Sequence, residues 1–230
     1  MGCGAGKYKA GTGDAACDDC GAGKYSEAVG ATGEGTCRAC PAHSDAPAGS
    51  GGVWECACEA GFTGPNGGPC VGCGAGKYKA GTGEAACIDC GAGKYSGAVG
   101  ATGEGTCTTC PANSDAPAGS GGVSGCICEA GFTGPNGGPC VDCAAGKYKA
   151  GAGDAACTYC GAGKYSGATG QTDEGTCSAC PANANAPAGS AGVSACICEA
   201  GFTGPNGGPC VECGAGKYKA GTGDAACDDC

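Results

Sequence analysis

Cysteine recurs in this chain with a period of 70 residues and without slippage: Cys3, Cys73, Cys143 and Cys213 open successive units. Within each full unit the spacing is C-x13-C-x2-C-x16-C-x2-C-x15-C-x-C-x11-C-x2. Three complete repeats, 3–72, 73–142 and 143–212, are followed by the start of a fourth, 213–230. Such a period marks a tandem array of small units that meet their neighbours in the same way. The 27 cysteines are about 12% of 230 residues, above the roughly 8–10% that signals a disulfide scaffold. A hydrophobic core cannot take their place. The chain holds 8 Val, 3 Ile, 3 Phe and no Leu, about 6% where roughly 20% separates folded from disordered composition. Its 54 Gly add to the backbone entropy lost on folding. A bond closing a loop of about 15 residues is worth roughly 3 kcal/mol, so four per repeat supply on the order of 12 kcal/mol. The expected fold is therefore an array of small disulfide-rich repeats. Mostly irregular loops with short β-hairpins would build an elongated rod or solenoid-like array. The setting is oxidising, extracellular or at the cell surface.

The joints between loops are Cys-x-x-Cys pairs, each read as one cysteine closing a loop and the next opening another. GAGKY or AAGKY follows the opening cysteine at Cys3, Cys20, Cys73, Cys90, Cys143, Cys160 and Cys213. The first two loops of a repeat are thus relatives. Short strands are expected at 6–9, 23–26 and 53–58, where Tyr, Val and Trp favour them. In the third loop, PAHSDAPAGSGGVWE, Pro41, Pro47 and the Gly-Ser-Gly-Gly run read as a turn or extended linker and not a strand. The fourth, EAGFTGPNGGP, carries a dense turn signal. Eight cysteines allow 105 pairings, and the joints favour the sequential set. In the first repeat this is Cys3–Cys17, Cys20–Cys37, Cys40–Cys56 and Cys58–Cys70. In the second it is Cys73–Cys87, Cys90–Cys107, Cys110–Cys126 and Cys128–Cys140. In the third it is Cys143–Cys157, Cys160–Cys177, Cys180–Cys196 and Cys198–Cys210, with Cys213–Cys227 beyond it. A crossed middle, Cys20–Cys40 with Cys37–Cys56, stays open as the alternative. Sequential pairing leaves Cys230 without a partner, and the 230 residues are expected to be an excerpt of a longer array.

Chemistry beyond sulfur is sparse. Cys-x-x-Cys-Gly-x-Gly resembles the zinc-binding motif of DnaJ chaperones, but each repeat adds Cys-x-Cys and lacks a second ligand type, so neither metal nor cofactor is expected. The single histidine, His43, is Asn113 and Asn183 in the other repeats, and Trp54 is Ser124 and Ser194. The acids Asp14, Glu84 and Asp154 stand alone in Gly-rich loops and read as solubilising. No catalytic residue is expected, and the chain is not read as an enzyme. GAGKY lacks the Ser/Thr and helix of a phosphate loop. The net charge of −10 is spread without a basic patch, which disfavours nucleic acid and anionic membranes. No run approaches the length that spans a bilayer, so no membrane insertion is expected.

The pattern Cys-x-x-Gly-x-Tyr…Cys-x-x-Cys, over residues 3–40 and their copies, resembles ephrin-receptor-like and tumour-necrosis-factor-receptor-like cysteine-rich modules. That resemblance implies tyrosines packed over disulfides: Tyr8, Tyr25, Tyr78, Tyr95, Tyr148, Tyr165 and Tyr218. The lysines beside them are expected to reach outward, burying their stems and keeping the ammonium in water. The stretch Cys56-Ala-Cys58-Glu-Ala-Gly-Phe-Thr-Gly…Cys70 resembles the C-terminal half of an epidermal-growth-factor-like module. It implies a turn at Gly61-Phe62, but the acidic and Asn residues of calcium-binding versions are lacking, so no calcium site is expected. It also implies O-glycosylation at Thr63, Thr133 and Thr203. Mixtures of such modules resemble algal or protist surface proteins, including those of flagellar hairs.

Near-identical repeats at a fixed period suit self-association better than one specific binding site. The expected function is a structural subunit of an extracellular filament, flagellar hair or matrix. Its partners are other copies of itself and, where attached, glycans. The alternatives are a receptor-like binding ectodomain and an adhesive Lys-Tyr matrix protein.

Overall fold

The computed structural model describes residues 2–230. The chain forms two compact units, Met1–Thr109 with Ala116–Gly125, and Cys110–Asp115 with Cys126–Cys230. Both are built from one element, a disulfide-closed loop ending in a two-residue antiparallel ladder. Small disulfide-rich repeats with short β-hairpins are the fold, and the described residues contain no α-helix.

The joints are themselves strands. In the first unit Lys7–Tyr8 pairs with Asp18–Asp19, Lys24–Tyr25 with Arg38–Ala39, and Ser44–Asp45 with Ala57–Cys58. Phe62–Thr63 then pairs with Val71–Gly72, Lys77–Tyr78 with Ile88–Asp89, and Lys94–Tyr95 with Thr108–Thr109. The second unit continues the same series from Ser114–Asp115, paired with Ile127–Cys128, to Lys217–Tyr218, paired with Asp228–Asp229. The two residues between the cysteines of each Cys-x-x-Cys therefore fold back on the start of the loop just closed.

All four loops of a repeat open with the same turn. Lys7 N donates to Gly4 O, Lys24 N to Gly21 O, Ser44 N to Pro41 O and Phe62 N to Glu59 O, at 3.1–3.3 Å. The third residue of each turn has positive φ: Gly6 (79°), Gly23 (73°), His43 (62°) and Gly61 (83°). A type II turn requires that conformation. Asn113 and Asn183 hold it in the other repeats, at 62° and 61°. Asn and His are among the few side-chain-bearing residues enriched there, which accounts for the exchange of His for Asn along the array. The third loop is thus a disguised relative of the other three. Its strand Ser44–Asp45 corrects the expectation of a strandless linker, because the His43 turn reverses the chain as glycine does elsewhere. The strand expected over 53–58 is corrected too. Val53–Glu55 is a 3-10 turn and only Ala57–Cys58 is extended.

Cys-x-Cys, one residue shorter than the other joints, shifts the ladder by one. Ser44 faces Cys58 itself, whereas Lys7 faces Asp19, the residue before Cys20. Successive loops also interlock through the main chain. Cys20 N donates to Gly6 O, Gly30 N to Cys3 O and Lys9 N to Ala31 O, at 2.6–3.0 Å. Tyr8 and Ala31 form a parallel bridge. Backbones two loops apart approach closely: a Cβ on Gly6 would lie 2.0 Å from Gly49 O.

The structure bonds the cysteines in sequence, from Cys3–Cys17 to Cys213–Cys227, with Cα–Cα distances of 5.5–5.8 Å. The middle four of the first repeat are joined as Cys20–Cys37 and Cys40–Cys56. Every buried hydrophobic side chain among the described residues is Cys or Ala. Sulfur and main-chain hydrogen bonds replace an aliphatic core. Thirteen such bonds belong to an oxidising compartment outside the cytosol. No helix among the described residues is long and apolar enough to cross a membrane.

Candidate functional site at the junction between repeats

The most elaborate contact in each unit lies where the Gly-Phe-Thr loop of one repeat meets the first loop of the next. In the first unit, Gly61 N donates to Lys79 O (2.8 Å), Cys73 N to Gly61 O (2.8 Å) and Gly83 N to Cys58 O (2.7 Å). The Lys79 side chain completes the junction: its Nζ donates to Phe62 O at 2.6 Å and also to Gly83 O. Lys79 is 2% exposed. An ammonium removed from water is tolerated only with acceptors around it, and here the acceptors come from both sides of the junction. Thr63 Oγ1 donates to Ala85 O at 3.0 Å, and Glu84 Oε1 accepts from Asn66 N at 2.9 Å.

The second unit repeats this contact twice. Lys149 donates to Phe132 O (2.7 Å) and Gly153 O, and Lys219 to Phe202 O (2.8 Å) and Gly223 O. Gly131 N meets Lys149 O and Gly201 N meets Lys219 O, each at 2.9 Å. Both lysines are buried. The expectation that lysines beside tyrosine reach outward is corrected for Lys79, Lys149 and Lys219. The preceding loop covers each of them and supplies a carbonyl. The equivalent Lys9 is half-buried and donates to Gly13 O. No pattern within GAGKYKA separates the two lysines of each copy; the partner lies seventeen residues earlier.

The outward lysines are the first of each motif. Lys7 pairs with Asp19, Lys77 with Asp89 and Lys217 with Asp229, directly across the ladder. In the third repeat Tyr159 replaces the acid, and Lys147 Nζ sits 4.4 Å from its ring centroid, a cation–π contact. In the second loops Lys24 pairs with Glu34 (2.8 Å), Lys94 with Glu104 (2.8 Å) and Lys164 with Glu174 (2.9 Å). The hydrogen bond and charge of Glu34 raise the Lys24 pKa, and Lys24 lowers that of Glu34 in turn. Lys94 and Glu104 shift in the same directions for the same reasons. All are solvent-facing pairs of small energetic weight.

Thr63, Thr133 and Thr203 lie in the junctions, with hydroxyls donating to Ala85, Ala155 and Ala225. A sugar on these oxygens would remove the donor. Tyr8, Tyr25, Tyr78, Tyr95, Tyr148 and Tyr165 are half-buried and Tyr218 is exposed. His43 is solvent-facing but stacks on Phe62, with ring centroids 3.9 Å apart and 8° between planes. In its place Asn113 Nδ2 donates to Cys140 O. Trp54 is 61% exposed, its ring lying across Gly52. Asp14 and Asp154 are exposed. Cys230 is a free, exposed thiol. The chain matches no protein-family profile, and no curated protein matches it.

Proposed function

We propose that this chain is a structural subunit of an extracellular filament, flagellar hair or matrix, assembled from copies of itself. The observation that carries the reading is the junction around Lys79, repeated at Lys149 and Lys219 with the same donors and acceptors. A contact reproduced at a fixed sequence interval repeats one surface rather than elaborating a unique one, and repeated surfaces favour assembly. The ephrin-receptor-like and epidermal-growth-factor-like resemblance fits a cell-surface or secreted location. Electron microscopy of the native source, with antibody labelling against this chain, tests the reading. Labelled filaments or a fibrous matrix are expected, and label confined to isolated monomers would refute it.

One observation favours a receptor-like ectodomain as the second reading. A cavity of about 320 Å³ in the first repeat is lined by Tyr25, Glu27 and Arg38, and Gly97 with Thr108, or Gly167 with Ser178, stand at the latter two positions in the other repeats. Half-burial of most tyrosines and burial of three lysines weigh against the adhesive reading.

A further inference from the structure

We propose that Glu27 and Arg38 of the first repeat form a binding site for a small zwitterion, a molecule with a carboxylate and an ammonium on one short carbon chain, as in a free amino acid. The proposal rests on the cavity that favours the receptor-like reading, and it is independent of the filament reading.

The charges of the chain single out Arg38. It is the only arginine beside eleven lysines, and every lysine is engaged. Six form ion pairs, and Lys79, Lys149 and Lys219 fill the junctions. Lys9 donates to Gly13 O, and Lys147 lies over the Tyr159 ring. Among the described side-chain cations Arg38 alone has no partner. Glu27 lines the same cavity and forms no ion pair with it.

The frame around these two residues is rigid. Tyr25 and Arg38 face each other across the ladder. Ser26 is 1% exposed, and its N donates to Ser50 O at 3.1 Å. Ala28 N donates to Ser26 Oγ at 3.4 Å, a bend that leaves Glu27 exposed. On the far side Thr36 ends the 3-10 turn, with its hydroxyl on Gly33 O at 3.0 Å. The cavity between them holds about 320 Å³, at the small end of ligand pockets, which run from about 300 to 1,000 Å³.

The second repeat has the same frame. Ala98 N donates to Ser96 Oγ (3.3 Å) and Thr106 Oγ1 to Gly103 O (2.9 Å), but Gly97 and Thr108 replace the two charged residues. There the preceding loop is in place against Gly100 and Thr102, yet Gly97, Ala98, Gly105, Thr106 and Thr108 are all exposed. The cavity therefore belongs to the face of a single repeat and is not a gap between repeats.

The two charges select the ligand. A guanidinium offers a planar fork of donors that matches a carboxylate, and Glu27 accepts from an ammonium. A simple anion would meet Glu27 and the net charge of −10, and a simple cation would meet Arg38. A zwitterion pairs both groups and adds no net charge, with its carbon chain against Tyr25 and Ala28. Because the frame is already held by its own hydrogen bonds, little ordering is lost on binding.

The test is titration of the intact, oxidised, ¹⁵N-labelled chain with glycine, β-alanine and 4-aminobutyrate, which differ in the distance between their charges. Acetate and methylammonium are the single-charge controls, all at one ionic strength. Saturable shifts of Arg38 Nε–H and of the Glu27 and Thr36 amides are expected with at least one zwitterion, bound about tenfold or more tighter than either control. Glu27→Gly and Arg38→Thr install residues that the same frame carries in the second repeat, so the fold should hold; each should weaken binding about tenfold or more. The double variant Gly97→Glu, Thr108→Arg should gain a second site, seen as new shifts at Thr106. Acetate binding as well as the zwitterions, with Glu27→Gly indifferent, overturns the proposal and leaves an anion site compatible with the receptor-like reading. No saturable shift with any probe overturns the proposal and removes the support that the cavity gives that reading. A grafted second repeat that stays silent also overturns it.

Discussion

Lys79→Met is the sharpest probe of the junction. The substitution keeps side-chain length and removes the ammonium that bridges Phe62 O and Gly83 O. Hydrogen bonds to a charged group are worth about 1.5–3 kcal/mol each, and an acceptor left buried and unpaired costs about 1–3 kcal/mol. Relief of the buried charge offsets part of this loss. A net cost of about 2 kcal/mol to opening of this junction is the reasoned value, close to thirty-fold in an equilibrium constant. Global unfolding of a chain held by thirteen disulfides is a poor readout, because local openings dominate. Native-state amide exchange is the suitable assay. The Gly61 and Gly83 amides, bonded to Lys79 O and Cys58 O, should exchange about ten to a hundred times faster in the variant. Those of Gly131 and Gly153 in the next junction should not change. Lys9→Met, where the parent lysine is half-buried, should leave the protection of its own repeat within about threefold. Unchanged exchange at Gly61 and Gly83, or an equal effect from Lys9→Met, would refute the bridging role.

Three further outcomes follow from the geometry. His43→Asn should leave stability unchanged, whereas His43→Val, forcing a β-branched residue to φ 62°, should cost about 1–2 kcal/mol of local stability, read from amide exchange at Ser44 and Glu59. The carboxyl of Glu34, lowered by Lys24, should titrate below an ordinary glutamate. Its contribution to stability is present above the unfolded value and is lost as pH falls through the folded one, and ¹³C titration should show the lowering abolished in Lys24→Met and reduced by salt. Thiol titration of the denatured, unreduced chain should find the one thiol of Cys230; many thiols released only after chelation would instead indicate metal thiolates.

The reach of sequence reasoning varied with the locality of the signal. The GAGKY copies declared two loops as relatives because glycine at the third turn position is visible as glycine. The third loop escaped because the shared requirement is a backbone angle, met there by His43, Asn113 and Asn183. The alternation of His and Asn at one repeat position was the available clue, since both tolerate positive φ. Val53 and Trp54 suggested a strand by propensity, but the tertiary arrangement turned them into a 3-10 turn, as context overrides β-propensity. The fate of the lysines was beyond any local reading. Lys77 and Lys79 lie two residues apart in one motif, yet one pairs with Asp89 in solvent and the other is enclosed by carbonyls.

Composition and the cysteine period by themselves determined that this chain is a disulfide-stapled tandem array. So few large apolar residues leave no other source of stability, and a fixed spacing permits no other organisation. The tertiary structure alone decided that the joints are strands, that four loops share one turn, and that a buried lysine links one repeat to the next. Those features depend on backbone angles and on contacts between separate loops, which residue type and spacing leave open. Sulfur holds each loop closed, whereas main-chain carbonyls and a lysine ammonium hold the loops to each other.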